Sequence, residues 1–286
     1  SGLLEDGLES WMGDAGIADV RVSSGSDGFT HAVEDDVKNR RGKTYILTGG
    51  VGSGKTTFLR RYASVTKRRF IEEWCLWFHV DFLRIGDVPA AERPTRIAKY
   101  FFAKCREQLI EKYSNLVPQD GAKLREVFSR ELQEAEKTVL FGVEDLGERR
   151  RIENGIVHEL YTDDERFVAV LLRQPHGGRR VVFVLDNTDQ LGVAFQESVF
   201  LFAQKICGEY RALTLVALRE EKFFTAYRKG VFDAFGDRRF HIGSPPLENV
   251  IRKRLYYALD KYRATAADEG LGNDSVEESV AVLRAL

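Results

Sequence analysis

The sequence has little sulfur, almost no net charge and no long apolar run. Its 286 residues include three cysteines, Cys75, Cys105 and Cys207, and a single methionine, Met12. Their odd number, wide spacing and lack of any CxxC pair exclude a zinc knuckle and argue against a disulfide framework. The thiols are expected to be buried, as free cysteines usually are, in a cytoplasmic protein. Lysine and arginine total 43 against 44 acidic residues, a formal net charge of −1. No domain-wide basic field is therefore available to attract nucleic acid or anionic lipid. The longest apolar runs, residues 167–172 and 181–185, fall far short of the ~20 residues of a membrane-spanning helix. Glu5 and Asp6 stand where a secretory signal would carry Lys or Arg, so no membrane association is expected. With Ser1 first and its one methionine at position 12, the chain is expected to be a domain excised from a longer polypeptide. Its protein partner or effector domain would lie outside this segment.

What is present is ordinary globular material: 43% hydrophobic and 30% charged residues, enough for a sizeable core. At ~150 residues per domain the length suggests about two domains. Residues 29–40 have the spacing of an amphipathic helix. Residues 44–47 read as a buried strand and 53–65 as a helix, and the aromatic and β-branched content of 74–82 favours a second strand. From 84 to 180 the chain is charge-rich and mostly helical, with apolar residues at i, i+3, i+4 spacing over 97–113 and 123–136. A further helix is expected over 163–173. Residues 181–185 form an apolar run ending in Asp186, as fully buried parallel strands do. Helix, strand, helix and strand then follow over 194–210, 213–218, 220–229 and 239–242. A helix is expected over 246–263, and a last one from 275. Strands alternating with helices imply an α/β fold with a mainly parallel sheet.

Gly49-Gly50-Val51-Gly52-Ser53-Gly54-Lys55-Thr56 fits G-x-x-x-x-G-K-[ST] and lies between a predicted strand and a predicted helix, the context a P-loop requires. Glycines let backbone N–H groups approach phosphate oxygens without a Cβ in the way. Lys55 would pair with the β- and γ-phosphates and the Thr56 hydroxyl would ligate Mg²⁺. Thr57 is counted with the phosphate-binding residues. A chance match in a chain of this length has odds on the order of one in a hundred at average glycine usage. Asp186, at the end of its apolar strand, supplies the Walker B carboxylate for the metal. The next residue is Asn187, which cannot accept a proton, so Asp189 is the nearest candidate for orienting an attacking water. An N-cap for the following helix is the competing role for Asp189.

These stretches resemble the additional-strand class of P-loop NTPases, and within it the AAA+ and STAND families. Asp186-x-x-Asp189-x-Leu191 looks like the STAND form of Walker B. The apolar strand that ends in Arg219 is similar to the sensor-1 strand of STAND modules, which implies that Arg219 contacts the γ-phosphate. Residues 232–242, with Arg238 and Arg239 ahead of Pro245 and Pro246, resemble the AAA+ stretch that carries an arginine finger. The resemblance implies a finger that acts on a neighbouring subunit's nucleotide, and hence a homo-oligomer. Arg252 and Arg254 are weaker candidates for a second sensor. The resemblance covers residues 43–263, with two departures: about a hundred helical residues separate the second strand from Asp186, and no complete lid follows.

The expected architecture is a three-layer P-loop NTPase with a mainly parallel sheet, a long helical insertion and a partial helical lid. Residues 1–42 would be a lead-in, 43–245 the core with its insertion at about 84–180, and 246–286 the start of the lid. The expected function is a slow, Mg²⁺-dependent ATPase that acts as an oligomerisation switch, with prokaryotic antiviral defence as an extension by family analogy. A nucleic-acid motor or loader, and a nucleotide-binding scaffold without turnover, are the alternatives. The basic clusters are interspersed with acids and read as solvated helix faces. The five histidines show no metal-ligand spacing, and His79, Trp74 and Trp77 read as packing residues.

Overall fold

Six segments form strands: β1 (Ile17–Asp19), β2 (Lys43–Gly49), β3 (Cys75–Asp81), β4 (Arg180–Asp186), β5 (Leu213–Arg219) and β6 (Arg239–His241). In the computed structural model they make one sheet in the order β1-β6-β2-β5-β4-β3, with every neighbouring pair parallel. The structure describes residues 17–19, 28–86, 88–188, 192–219 and 239–243, together with positions 251, 255 and 258. The chain divides into two compact units, Ser1–Ile242 and Gly243–Leu286. Of the second, Ile251, Leu255 and Ala258 are helical. The helices expected over 220–229 and from 275 lie outside the described residues.

The four long strands β2, β3, β4 and β5 are apolar on both faces because helices cover both, the usual condition of a parallel sheet. Alternate residues of a strand point to opposite sides, and the core accordingly separates into two clusters. On one side Phe78, Val80, Phe183 and Leu185 meet helices α4 (Arg93–Lys112), α8 (Asp164–Arg173) and α9 (Val193–Tyr210). Phe101 packs edge-on at 5.0 Å from Phe183. On the other side Tyr45, Leu47, Val182, Val184 and Leu215 meet α1 (Gly28–Lys38) and α2 (Lys55–Arg61). Each large side chain buried in this way contributes roughly 1.5–3 kcal/mol. Helix α1 belongs to this core: Phe29, Val33 and Val37 are buried, and Phe29 stands 5.2 Å from Phe240.

The long stretch between β3 and β4 contains five helices among the described residues: α4, α5 (Gly121–Val127), α6 (Ser129–Glu136), α7 (Leu146–Thr162) and α8. Helices α4 and α8 bury apolar faces, whereas α7 buries only Leu160. Helix α4 also closes the free edge of β3, which would otherwise offer unpaired backbone groups. Gln108 bridges the His79 amide and carbonyl, each at 3.0 Å. Tyr113 bonds the Trp77 amide at 2.7 Å, and the Tyr100 hydroxyl donates to the Asp81 carbonyl at 2.8 Å.

Several expected elements are corrected. The helix expected over 123–136 is two helices that break at Phe128, a fully buried residue whose backbone, at φ −91° and ψ 14°, departs from the helical values. Helix α7 falls in the stretch expected to be mostly helical, without having been singled out there, and the short helix α3 (Arg68–Trp74) was not expected. The helix expected over 53–65 starts at Lys55 and passes into a π-helical turn at Tyr62–Thr66. Trp77 is in the core as expected, but Trp74 is 38% exposed at the end of α3, stacked on Phe70. Cys75 and Cys105 are buried and Cys207 is half-buried. Among the described residues no helix is long and apolar enough to cross a membrane.

Candidate functional site

Strand register brings the chemistry-bearing residues to one edge. Gly49 at the end of β2 pairs with Arg219 at the end of β5, and Asp81 at the end of β3 pairs with Asp186 at the end of β4. This is the carboxyl edge of a parallel sheet, where ligands bind in open α/β folds. Strand β5 lies between β2 and β4, so an added strand separates the G-x-x-x-x-G-K-T loop from Asp186.

The loop leaves β2 at Gly49 and enters α2 at Lys55. Gly54 has φ +86°, a left-handed conformation that glycine adopts without steric cost. Gly49 is needed for space: a Cβ there would lie 2.6 Å from Ser53 Oγ and 2.7 Å from the Ile242 carbonyl oxygen. The hydroxyl can rotate away, but the backbone carbonyl cannot. Gly49→Ala is therefore expected to destabilise the fold by about 1–3 kcal/mol, read as a lower urea midpoint at unchanged slope. The Lys55 ammonium donates to the carbonyls of Gly49, at 2.8 Å, and Gly50, at 3.2 Å. Ser53 is buried, and its hydroxyl has no hydrogen-bond partner among the described residues. Val51 is exposed at the loop tip, Thr56 is half-buried and Thr57 is exposed.

Asp186 is buried, and burial alone would push its carboxyl up. Hydrogen bonds from His79 and the Asn187 amide, the nearby Thr56 hydroxyl and the charge interaction of His79 outweigh that and hold it below the usual carboxylate range. His79 Nε2 lies 3.1 Å from Asp186 Oδ2, and the Asn187 amide donates to Oδ1 at 2.9 Å. Asn187 has φ +55°. Asparagine tolerates that left-handed conformation better than most side chains, a backbone reason for the asparagine after Asp186. Its side-chain amide donates to Asp81 Oδ1 at 2.8 Å. The Thr188 hydroxyl donates to the Ala217 carbonyl at 3.0 Å and ties this turn to β5.

The edge thus unites Gly49–Thr56, Asp186 and Arg219. Arg239 is half-buried and pairs with Ile46, three residues before Gly49, so it lies back along the sheet from the edge. Asp189, Arg238, Arg252 and Arg254 lie outside the described residues. Sequence reasoning missed His79 and Asp81 as neighbours of the site. His79 carried one signal, a polar ring alternating with apolar residues on a strand.

A parallel sheet with an added strand, a glycine-rich turn into a helix and a lysine folded over that turn define the class: the chain has the α/β fold of a P-loop NTPase. No protein-family model matches the chain, and no curated protein does. Among solved structures it is similar to Cdc6p from Pyrobaculum aerophilum, at 14% identity and a TM-score of 0.36 over 75% of this chain. The chain spans 44% of that protein's length. The fold assignment rests on the strand order and the loop.

Proposed function

We propose that this module binds Mg-ATP at Gly49–Thr56, hydrolyses it slowly and uses the nucleotide state to switch self-association. The observation that carries the reading is the nearness of the Thr56 hydroxyl to Asp186, close enough to help hold that carboxyl down, which brings two hard oxygen donors, one from the P-loop and one from the end of β4, to the same edge. That pair suits Mg²⁺, which commonly takes one or two protein ligands and completes its shell with phosphate oxygens and water. Among the described residues no group of three or more His, Cys, Asp or Glu could hold a metal. When bound, Mg²⁺ neutralises charge on the β- and γ-phosphates. The Lys55 ammonium, held by the Gly49 and Gly50 carbonyls, would turn to the phosphate oxygens.

Arg219, beside Gly49 at the sheet edge, would report the γ-phosphate. Arg238 or Arg239 would act on a neighbouring subunit's nucleotide. An effector or partner domain would lie outside this segment of a cytoplasmic protein, and a role in antiviral defence is an extension by family analogy. The helices between β3 and β4 would supply a partner or assembly surface. A scaffold that binds ATP without turnover is the second reading, favoured by Asn187 in the place of an acid. A nucleic-acid loader finds no support in a net charge of −1.

Phosphate release per subunit, measured against protein concentration for the parent, Arg238→Ala and Arg239→Ala, tests the reading. Turnover should rise with concentration and collapse in one variant. Turnover independent of concentration and untouched by both variants would sink the shared site. ATP binding without phosphate release would establish the scaffold.

A further inference from the structure

We infer that the carboxylate that orients the attacking water comes from Asp81 on the adjoining strand, in place of an acid following Asp186. This inference rests on the ATPase reading above. Asp81 and Asp186 are register partners at the ends of β3 and β4, on strands about 4.8 Å apart. Asn187 connects them: its backbone amide donates to Asp186 Oδ1 at 2.9 Å and its side-chain amide to Asp81 Oδ1 at 2.8 Å. The Leu83 amide also donates to Asp81 Oδ1, at 2.9 Å. Two donors on one oxygen fix the carboxylate plane. Asp81 Oδ2 has no hydrogen-bond partner among the described residues, and the residue is half-buried at the ligand-binding edge.

The position after Asp186 is left-handed, at φ +55°, where a glutamate would be strained. An asparagine there serves as the arm that holds a carboxylate supplied by the neighbouring strand. The Tyr100 hydroxyl bonds the Asp81 carbonyl at 2.8 Å, so helix α4 also steadies the end of β3. In the step assigned to Asp81, Oδ2 accepts a hydrogen bond from a water whose oxygen bonds to the γ-phosphorus of ATP. The bond from that phosphorus to the β–γ bridging oxygen breaks, and ADP keeps the electron pair. One water proton leaves through Asp81 to solvent and the other stays on the phosphate.

Asp81→Asn is the discriminating variant, because Asn caps the Phe82–Arg84 turn as well as Asp does and removes only the carboxylate. Its rate of phosphate release should fall about a hundredfold or more. Its ATP affinity by calorimetry and its urea midpoint should match the parent's. In the double variant Asp81→Asn/Asn187→Asp the amide and carboxylate exchange places, and about tenfold or more of the lost rate should return. Two results would overturn the inference: parental turnover in Asp81→Asn with loss in Asp189→Asn, or loss of ATP binding in step with turnover. Parental protein that binds ATP and releases no phosphate would instead overturn the ATPase reading, and this inference with it.

Discussion

Replacing Lys55 with alanine is expected to weaken Mg-ATP binding about a hundredfold, with little change in folding stability. Lys55 donates to the Gly49 and Gly50 carbonyls, which holds its charge across the loop that would receive the phosphates. A hydrogen bond to a charged group contributes roughly 1.5–3 kcal/mol, and about 1.4 kcal/mol corresponds to tenfold in affinity. Loss of one ammonium that would serve two phosphate groups therefore comes to about a hundredfold. The folded protein loses less. Lys55 is half-buried, and the Gly50 carbonyl still accepts the Ser53 amide at 3.2 Å. Lys55→Arg keeps the charge in a planar fork on a longer stem, and should recover only part of the loss. Calorimetric titration with Mg-ATP reads both variants. Parental affinity in Lys55→Ala would remove the phosphate-cradle role of the loop.

The difference between what was legible in the sequence and what was not follows the range of the interaction. The P-loop is contiguous: eight residues whose types follow from the turn they make, so its strand–loop–helix setting was readable. The apolar runs at 181–185 and 213–218 declared buried strands because both of their faces are covered. The α/β class followed from their alternation with helices. Helix α7 was not singled out within the helical stretch at 84–180 because it buries only Leu160, which leaves almost no apolar period to detect. The break at Phe128 was missed because a buried aromatic fits the helical spacing of 123–136 whether or not the chain turns there. Asp81 and His79 lie over a hundred residues from Asp186 in sequence, and only the register of β3 on β4 brings them beside it. No local pattern encodes that register. Asn187, read along the chain, looked like the loss of an acid. In the fold it is a residue suited to a left-handed turn, with its amide on a carboxylate from the next strand.

The largest loss of stability is expected at Asp36, on the helix that precedes the P-loop strand and packs against it. Asp36 is fully buried on α1. It faces two residues of β2: the Tyr45 hydroxyl donates to Asp36 Oδ2, and Lys43 Nζ lies 3.3 Å from the same oxygen. Arg41 Nη1 stands 3.6 Å from Oδ1. Removing one partner of a buried ion pair costs roughly 3–5 kcal/mol. Lys43 and Arg41 reach solvent at 28% and 52% of their side chains, so screening places the cost at the lower end, about 3 kcal/mol. The Tyr45 hydroxyl keeps its bond to the Ala32 carbonyl at 3.1 Å, so alanine at Asp36 does not leave it orphaned. Asp36→Ala should then lower the melting temperature by about 6–12 °C for a unit of this size. Asp36→Asn retains a partner for Tyr45 and loses only the charge, so it should fall between parent and alanine. Calorimetric melting of the three proteins, with Mg-ATP affinity measured well below the transition, separates stability from site. Affinity should stay within about twofold of the parent's, because the Lys55–Gly49 geometry is set at the far end of β2. A melting temperature unchanged in Asp36→Ala would show that α1 is not the anchor of the P-loop strand.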